Sequence, residues 1–386
     1  MNILHLSNVI GEKKGGGVHE VVSNLYKYQK LLQHEPHIWY PGLQKDSDSI
    51  ALDDNIKALK TFGNNKYKII QDIFTSLPNE VQNYDIIHQH GIWTSISLYS
   101  QKIRRQLNIK SVIQPHGYLD PYRMEISKYK KKLMYLFFEK NNIIHSDVII
   151  ACSEPEALYF KKIFYNKDVA IIPNGIPLDF VNSLNTDTLN LRLKTKHRLL
   201  FISQIIPLKG LDRLFKVIAN IGIDKFSNYE FIISGYGDNR YIISLIHLVN
   251  NLKINNLVSF IDPQYAKNKI DLFDSADFFI FPSYNENYGI VVAEALARKI
   301  PVLATKGTPW EELNTHNCGF WVDNNNEGIK SGLLKILHTS EQDRIIMGER
   351  GKELIKTKYL WDYSAKKTIE LYLWILNKGT KPSFVI

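Results

Sequence analysis

The stretch FPSYNENYGIVVAEALA, residues 281–297, runs from an apolar strand end through a polar turn into a helix-forming segment and carries two carboxylates, Glu286 and Glu294. A strand handing over to a helix in this way is the unit from which parallel sheets are wound. With a helix beginning near Tyr288 and Gly289, its first amides present a partial positive charge, Glu286 stands before them and Glu294 lies inside on the ligand-facing side. Eight residues of helix cover about 12 Å, a span over which two carboxylates can hold hydroxyl groups at both ends of a ligand while an anion sits between them. Taken alone, both glutamates read as solvated surface groups. Their surroundings have to decide.

The same unit recurs on either side. NILHLSNV reads as a strand, GEKKGGG as a glycine-rich loop and VHEVVSNLYKYQKLL as a helix, and DIIHQHG, SVIQPHG, DVIIACS and VAIIPNG are later strands ending in polar or glycine turns. Periodicity fades over residues 176–197, which read as a linker. It restarts with RLLFISQI, the helix GLDRLFKVIANI, YEFIISGYG, a long helix from about Asn239, LVSFID, DFFIFPS and PVLAT, and YLWDYSAKKTIELYLWILN closes the chain as an aromatic-rich amphipathic helix. The chain's 386 residues exceed what a single core serves. The expectation is an α/β protein of two Rossmann-like domains facing one cleft.

Composition excludes several classes. The longest apolar runs, LMYLFF and FFIF, fall far short of the roughly 20 residues that span a bilayer, and MNILHLSNVI has no basic and apolar leader, so a cytoplasmic protein is expected. Cys152 and Cys318 lie far apart without CxxC spacing and read as a reduced pair. The net charge of +9 points to an anionic partner.

In doubly wound sheets ligands bind beyond the carboxyl ends of the strands. Gly15, Gly16 and Gly17 follow the first strand, where bare amides can approach a phosphate or sugar. A dinucleotide fingerprint would need a third glycine where Glu20 stands, which disfavours a dehydrogenase. His116 closes a strand before Gly117 and points toward the cleft, with His88 and His90 ending a neighbouring strand in the same way and at least one of these expected to be a satisfied buried histidine. His88 and His90 show no third ligand at diagnostic spacing, and Asp46 and Asp48 sit in a polar run, so no metal is expected. Lys209 reads as an exposed loop lysine just before a helix, suited to neutralising a diphosphate, and Gly235 and Gly237 as a tight turn after a strand.

Together GGG, PHG, ACSEPE, IIPNGI, PLKG, SGYGD, FPSYNENYGIVVAEALA and PVLAT make the chain resemble, over essentially its whole length, the retaining glycosyltransferases of family 4 with the GT-B fold, of the bacterial surface-polysaccharide type. The specific motif is Glu286, seven residues, Glu294. The resemblance implies domains at 1–180, joined by a C-terminal helix at about 362–386 that crosses back to it, and at 190–361. It implies that Glu286 contacts donor-sugar hydroxyls, Glu294 the ribose, and Lys209 the phosphates. Asn287, Tyr288, Gly289 and Ile290 would offer backbone to sugar and diphosphate, with Gly16, Gly17 and Gly235 also lining the donor site and His116 near the donor sugar. One departure stands out: the family has arginine where this chain has Gln204, and a neutral amide does not replace a bidentate guanidinium.

The implied reaction moves a hexose or N-acetylhexosamine from a UDP-sugar, or in second place GDP-mannose, with retention, without a metal or other cofactor. The implied acceptor is a glycan, lipid-linked, in O-antigen or capsule synthesis. A sugar-nucleotide epimerase, a phosphorylase or a non-enzymatic anion-binding protein would share the cleft; no basic stripe interleaved with aromatic residues supports nucleic-acid binding. Residues 120–142, with Arg123, Lys128, Lys130, Lys131 and Lys132 ahead of Leu133 to Phe138, read either as a helix docking on the inner membrane face through about 122–138 or as one packing Leu133, Leu136 and Phe137 on the sheet.

Overall fold

The computed structural model describes residues 1–8, 12–42, 53–64, 67–125, 128–183 and 196–386. Asp46, Asp48 and residues 184–195 of the expected linker lie outside them. The chain divides into two compact units, Met1–Gly175 with Trp361–Ile386, and Ile176–Leu360.

The first unit holds β1 (Asn2–Ser7), β2 (Glu35–Pro41), β3 (Ile56–Leu59), β4 (Thr61–Asn64), β5 (Tyr67–Ile70), β6 (Ile86–His90), β7 (Lys110–Gln114), β8 (Val148–Ala151) and β9 (Asp168–Ile171). Seven of these form a parallel sheet in the order β3-β2-β1-β6-β7-β8-β9, and β4 and β5 pair as an antiparallel hairpin. Every residue of β6 is buried, as expected for a central parallel strand covered on both faces. The helix Glu12–Leu31 lies against the helix Trp361–Ile375, with Val21 and Leu25 packed on Trp361.

The second unit holds β10 (His197–Ile202), β11 (Tyr229–Ser234), β12 (Val258–Ile261), β13 (Phe278–Phe281), β14 (Val302–Thr305) and β15 (Gly319–Val322), all parallel, in the order β12-β11-β10-β13-β14-β15. The order reverses between β10 and β13, the place where doubly wound sheets open a crevice for ligands. The segment after the crossover belongs to this unit: Ile176 bridges Leu360, and the helix Leu178–Asn182 is held by Arg298. The expected linker therefore begins later than Ile176.

Four expectations are corrected. Gly15, Gly16 and Gly17 lie within the helix Glu12–Leu31 and not in a loop, although each glycine inside a helix costs up to about 1 kcal/mol relative to alanine. The helix bearing Glu294 starts at Ile290, so Glu286 belongs to the loop before it and the two carboxylates are not joined by eight residues of helix. The C-terminal helix ends at Ile375, and the tail pairs antiparallel to β9, Val169 and Ile386 exchanging hydrogen bonds of 3.1 and 2.9 Å, which covers an otherwise open sheet edge. Leu133, Leu136 and Phe137 do not pack on the sheet: they are 59%, 57% and 68% exposed, because a π-helical turn over Tyr135–Glu139 turns Tyr135 and Glu139 inward in their place.

Arg298 should decide how firmly the second unit holds its first helix. Its Nε and Nη2 donate to Asp274 at 2.6 and 2.5 Å, and Nη1 donates to the carbonyls of Phe180 and Ser183, both at 2.8 Å. Arg298→Ala leaves Asp274 unpaired in a buried setting and should destabilise this unit by about 3 kcal/mol. Urea unfolding measures this, and a change below about 0.5 kcal/mol would place the pair among weak surface bridges.

Candidate active site

The second unit builds its site on the loops after β10 and β13, at the strand-order reversal. After β13, Ser283 is fully buried, and its hydroxyl lies 3.1 Å from the carbonyl oxygen of Leu208 and 3.0 Å from that of Asn285, its one proton shared between them. Arg213 holds the Pro282 carbonyl at 3.0 Å and stacks on Tyr284. The amide of Glu286 donates to the Gly307 carbonyl at 2.7 Å. The turn is thus fixed from three sides before its carboxylate projects.

That carboxylate pairs with Lys209, whose ammonium also lies 5.1 Å from the centre of the Phe281 ring. Lys209 is 8% exposed, so the expectation of an exposed loop lysine is corrected: the short 3-10 turn Pro207–Lys209, ended by Gly210 at φ +70°, folds the side chain inward. Glu294 is buried, with Oε1 accepting from Lys269 at 2.6 Å and Oε2 without a hydrogen-bond partner among the described residues. Gly289 caps the helix Ile290–Ala297 at φ +74°, where a side chain would strain the backbone and meet Glu286 and Phe281 at 3.2 Å. Tyr288 is buried against Trp310, which donates to its carbonyl at 2.6 Å, while Asn287 and Ile290 are half-buried. Gly235 packs its backbone on Ser203, where a Cβ would stand 1.8 Å from the carbonyl oxygen, and Gln204 beside it is exposed. The structure therefore joins Lys209 to Glu286 and places Gly289 beside Glu286 and Phe281.

The first unit carries a second polar constellation at its own strand-order reversal, between β1 and β6. His5 lies opposite His88 in the sheet register. Gln29 Oε1 to His5 Nε2 (2.8 Å), His5 Nδ1 to His90 Nε2 (2.9 Å) and His90 Nδ1 to His116 Nε2 (3.0 Å) form one continuous chain of hydrogen bonds. His88 stacks on His90 with ring centres 4.0 Å apart and bonds the Tyr372 hydroxyl at 2.7 Å. His116 sits at φ +54°, followed by Gly117 at φ +73°. Burial lowers the pKa of His5 to about 4 and of His116 to about 3; burial first, then the neighbouring imidazoles, holds His88 and His90 well below the ordinary range. These rings are neutral at pH 7. His5, His88 and His90 also bring nitrogens within 4.8 Å of one another, so a third imidazole stands beside the pair after all. Gly17 is exposed in the helix Glu12–Leu31, where an added Cβ would meet none of the described residues within 4 Å.

Sequence reading missed Lys269, Gln29, Tyr372 and His5. Only His5 had a signal, a lone histidine inside the otherwise apolar strand ILHL.

Two family models match the chain: Glycosyltransferase Family 4 over residues 15–180 and Glycosyl transferases group 1 over residues 189–354. Two uncharacterized glycosyltransferases of Methanocaldococcus jannaschii are 25% identical to it, one over 65% of each chain, the other over 90% of this chain and 91% of its own. The D-inositol 3-phosphate glycosyltransferase of Corynebacterium urealyticum is 24% identical over 75% of this chain and 71% of its own. Among solved structures, sucrose-phosphate synthase from Thermosynechococcus elongatus superposes with a TM-score of 0.76 at 17% identity, covering 98% of this chain and 100% of that one. Anabaena HepE in complex with UDP and glucose gives 0.71 at 16%, and WaaG, a glycosyltransferase involved in lipopolysaccharide biosynthesis, 0.69 at 15%, each covering 96% of this chain and 99% of its own. The chain is a glycosyltransferase of the GT-B fold, similar to family 4.

The neutral histidines make stability pH-dependent. An unfolded histidine binds its proton near pH 6.5, whereas folded His5 resists protonation down to about 4, so stability present above pH 6.5 is lost as the pH falls toward 4. His5 alone should cost about 2 kcal/mol at pH 5 relative to pH 7.5. Melting temperatures across pH 5–7.5 check this. A flat profile would mean that the rings are not held neutral.

Proposed function

We propose that the enzyme transfers a hexose or N-acetylhexosamine, with retention and without a metal, from a nucleotide diphosphate sugar to a lipid-linked glycan in surface-polysaccharide synthesis. UDP-sugars come first and GDP-mannose second. The observation that carries the donor reading is Glu294: a buried carboxylate whose Oε1 is held by Lys269 while Oε2 has no hydrogen-bond partner among the described residues. A buried acceptor without a donor is costly, and a pair of ribose hydroxyls supplies one. Lys209 has three N–H donors, of which Glu286 engages one, so its remaining donors serve diphosphate oxygens without breaking the pair. Glu286 in turn accepts sugar hydroxyls, and the amides opening the helix Ile290–Ala297 add positive potential. His116, neutral, contacts a sugar hydroxyl. The acceptor oxygen attacks the anomeric carbon from the face the diphosphate leaves, its proton passing to the departing phosphate, and stabilisation of that diphosphate is the main catalytic term. HepE, which binds UDP and glucose, and WaaG, which is involved in lipopolysaccharide biosynthesis, favour UDP and a surface glycan.

A thermal-shift panel of UDP-glucose, UDP-N-acetylglucosamine and GDP-mannose tests the donor class, since a ligand of the folded state raises the melting temperature. With the best donor, Glu294→Ala should raise KM about 10- to 100-fold, the loss of a charged hydrogen bond, while Glu286→Ala should chiefly lower kcat. Lys209→Ala should lower kcat and also stability, because it strands Glu286. Equal, small effects of both glutamate variants would remove the division of roles, and activity that EDTA abolishes and Mn2+ restores would overturn metal-free transfer.

The acceptor reading rests on the segment 128–138. Tyr129, Leu133, Leu136 and Phe137 are exposed beside Lys128, Lys130 and Lys132, a combination that lies well in an anionic headgroup layer, each lysine contributing on the order of 1 kcal/mol. The protein should sediment with anionic vesicles at low salt and not with neutral ones. Replacing Lys128, Lys130, Lys131 and Lys132 by serine should abolish this; a variant that pellets equally well would exclude the patch.

A further inference from the structure

The chain Gln29–His5–His90–His116 runs from a buried amide to the histidine assigned to the sugar. Its chemistry is directional. An amide oxygen only accepts, so Gln29 Oε1 at 2.8 Å requires His5 to carry its proton on Nε2. His5 Nδ1 is then a lone pair and takes the proton of His90 Nε2; His90 Nδ1 is a lone pair and takes that of His116 Nε2. Among the described residues His116 Nδ1 has no hydrogen-bond partner, and the residue is partly exposed. Gln29, His5 and His90 are at most 1% exposed, so water does not compete for these bonds. His116 is held at a positive φ that non-glycine residues avoid, a strain of order 1–3 kcal/mol that persists where surrounding structure dictates it.

We propose that Gln29, acting through His5 and His90, is a positioning residue that locks His116 as the Nε2–H tautomer, so that its open Nδ1 accepts a hydrogen from a hydroxyl of the transferred sugar. This rests on the assignment of His116 to the sugar and adds a selectivity: a bare Nδ1 favours a neutral sugar hydroxyl and repels a carboxylate in that place, so uronic acid donors are excluded. No proton leaves through the chain, because the Gln29 amide takes none. The side chain works as a polarity clamp and not as a wire.

The full-length protein labelled with 15N-histidine reports the tautomer directly through two-bond 1H–15N correlations, His116 being identified by the signals lost in His116→Gln. At pH 7.5 we expect His116 as Nε2–H in the wild type and as a mixture in Gln29→Leu, with kcat about tenfold lower and donor KM little changed. An Nδ1–H or mixed pattern in the wild type overturns the lock, whether or not Gln29→Leu folds. So does an unchanged pattern in Gln29→Leu, or one zinc per chain by elemental analysis, since a metal would occupy the nitrogens through which His5 and His90 bond. If the lock is seen but His116→Gln keeps full activity, the sugar contact fails and the tautomer lock stands.

Discussion

Winding parallel strands outward in both directions from one starting strand leaves a single gap at their carboxyl ends, and the second unit's chemistry depends on that constraint. Because β10 and β13 are neighbours although two strands lie between them in the chain, the loops ending at Lys209 and Glu286 meet although 77 residues separate them. The helix beyond Glu286 opens at the same place. A pair of opposite charges, a helix start and a backbone turn thus come from topology, and side chains only refine them.

Refinement means rigidity here. Ser283, Arg213 and the Gly307 carbonyl hold the loop carrying Glu286, while Gly289 and Gly235 let backbones approach where a Cβ would collide. Groups fixed in this way need no reorganisation when charge develops beside them during a reaction. Lys269 does the same for Glu294, occupying one oxygen so that the other has a defined direction.

Much of this was legible in the sequence. The strands around the reversal are continuous apolar runs ended by polar turns, and Glu286 and Glu294 stand out by spacing. What was illegible depends on contacts distant in the chain. Whether Lys209 is exposed turns on Glu286 and Phe281, and the role of Lys269 on Glu294, neither of which its own neighbourhood announces. Glycines 15–17 misled for the opposite reason: local propensity says loop, but the helix they open is fastened by Val21 and Leu25 to Trp361, near the other end of the chain. Short edge strands such as β3 and β15 carried too few residues to show a period.

The two units handle buried polarity in opposite ways, and the difference follows from what each has to face. In the second unit charges are paired but, among the described residues, incompletely satisfied, leaving donor capacity on Lys209 and acceptor capacity on Glu294. In the first unit the histidines bond one another and stay neutral, because burial there penalises any proton they would add. A neutral chain conveys direction without charge. Under the sugar contact proposed for His116 it tells hydroxyls apart by hydrogen-bond polarity, where a buried ion would need a counter-ion of its own.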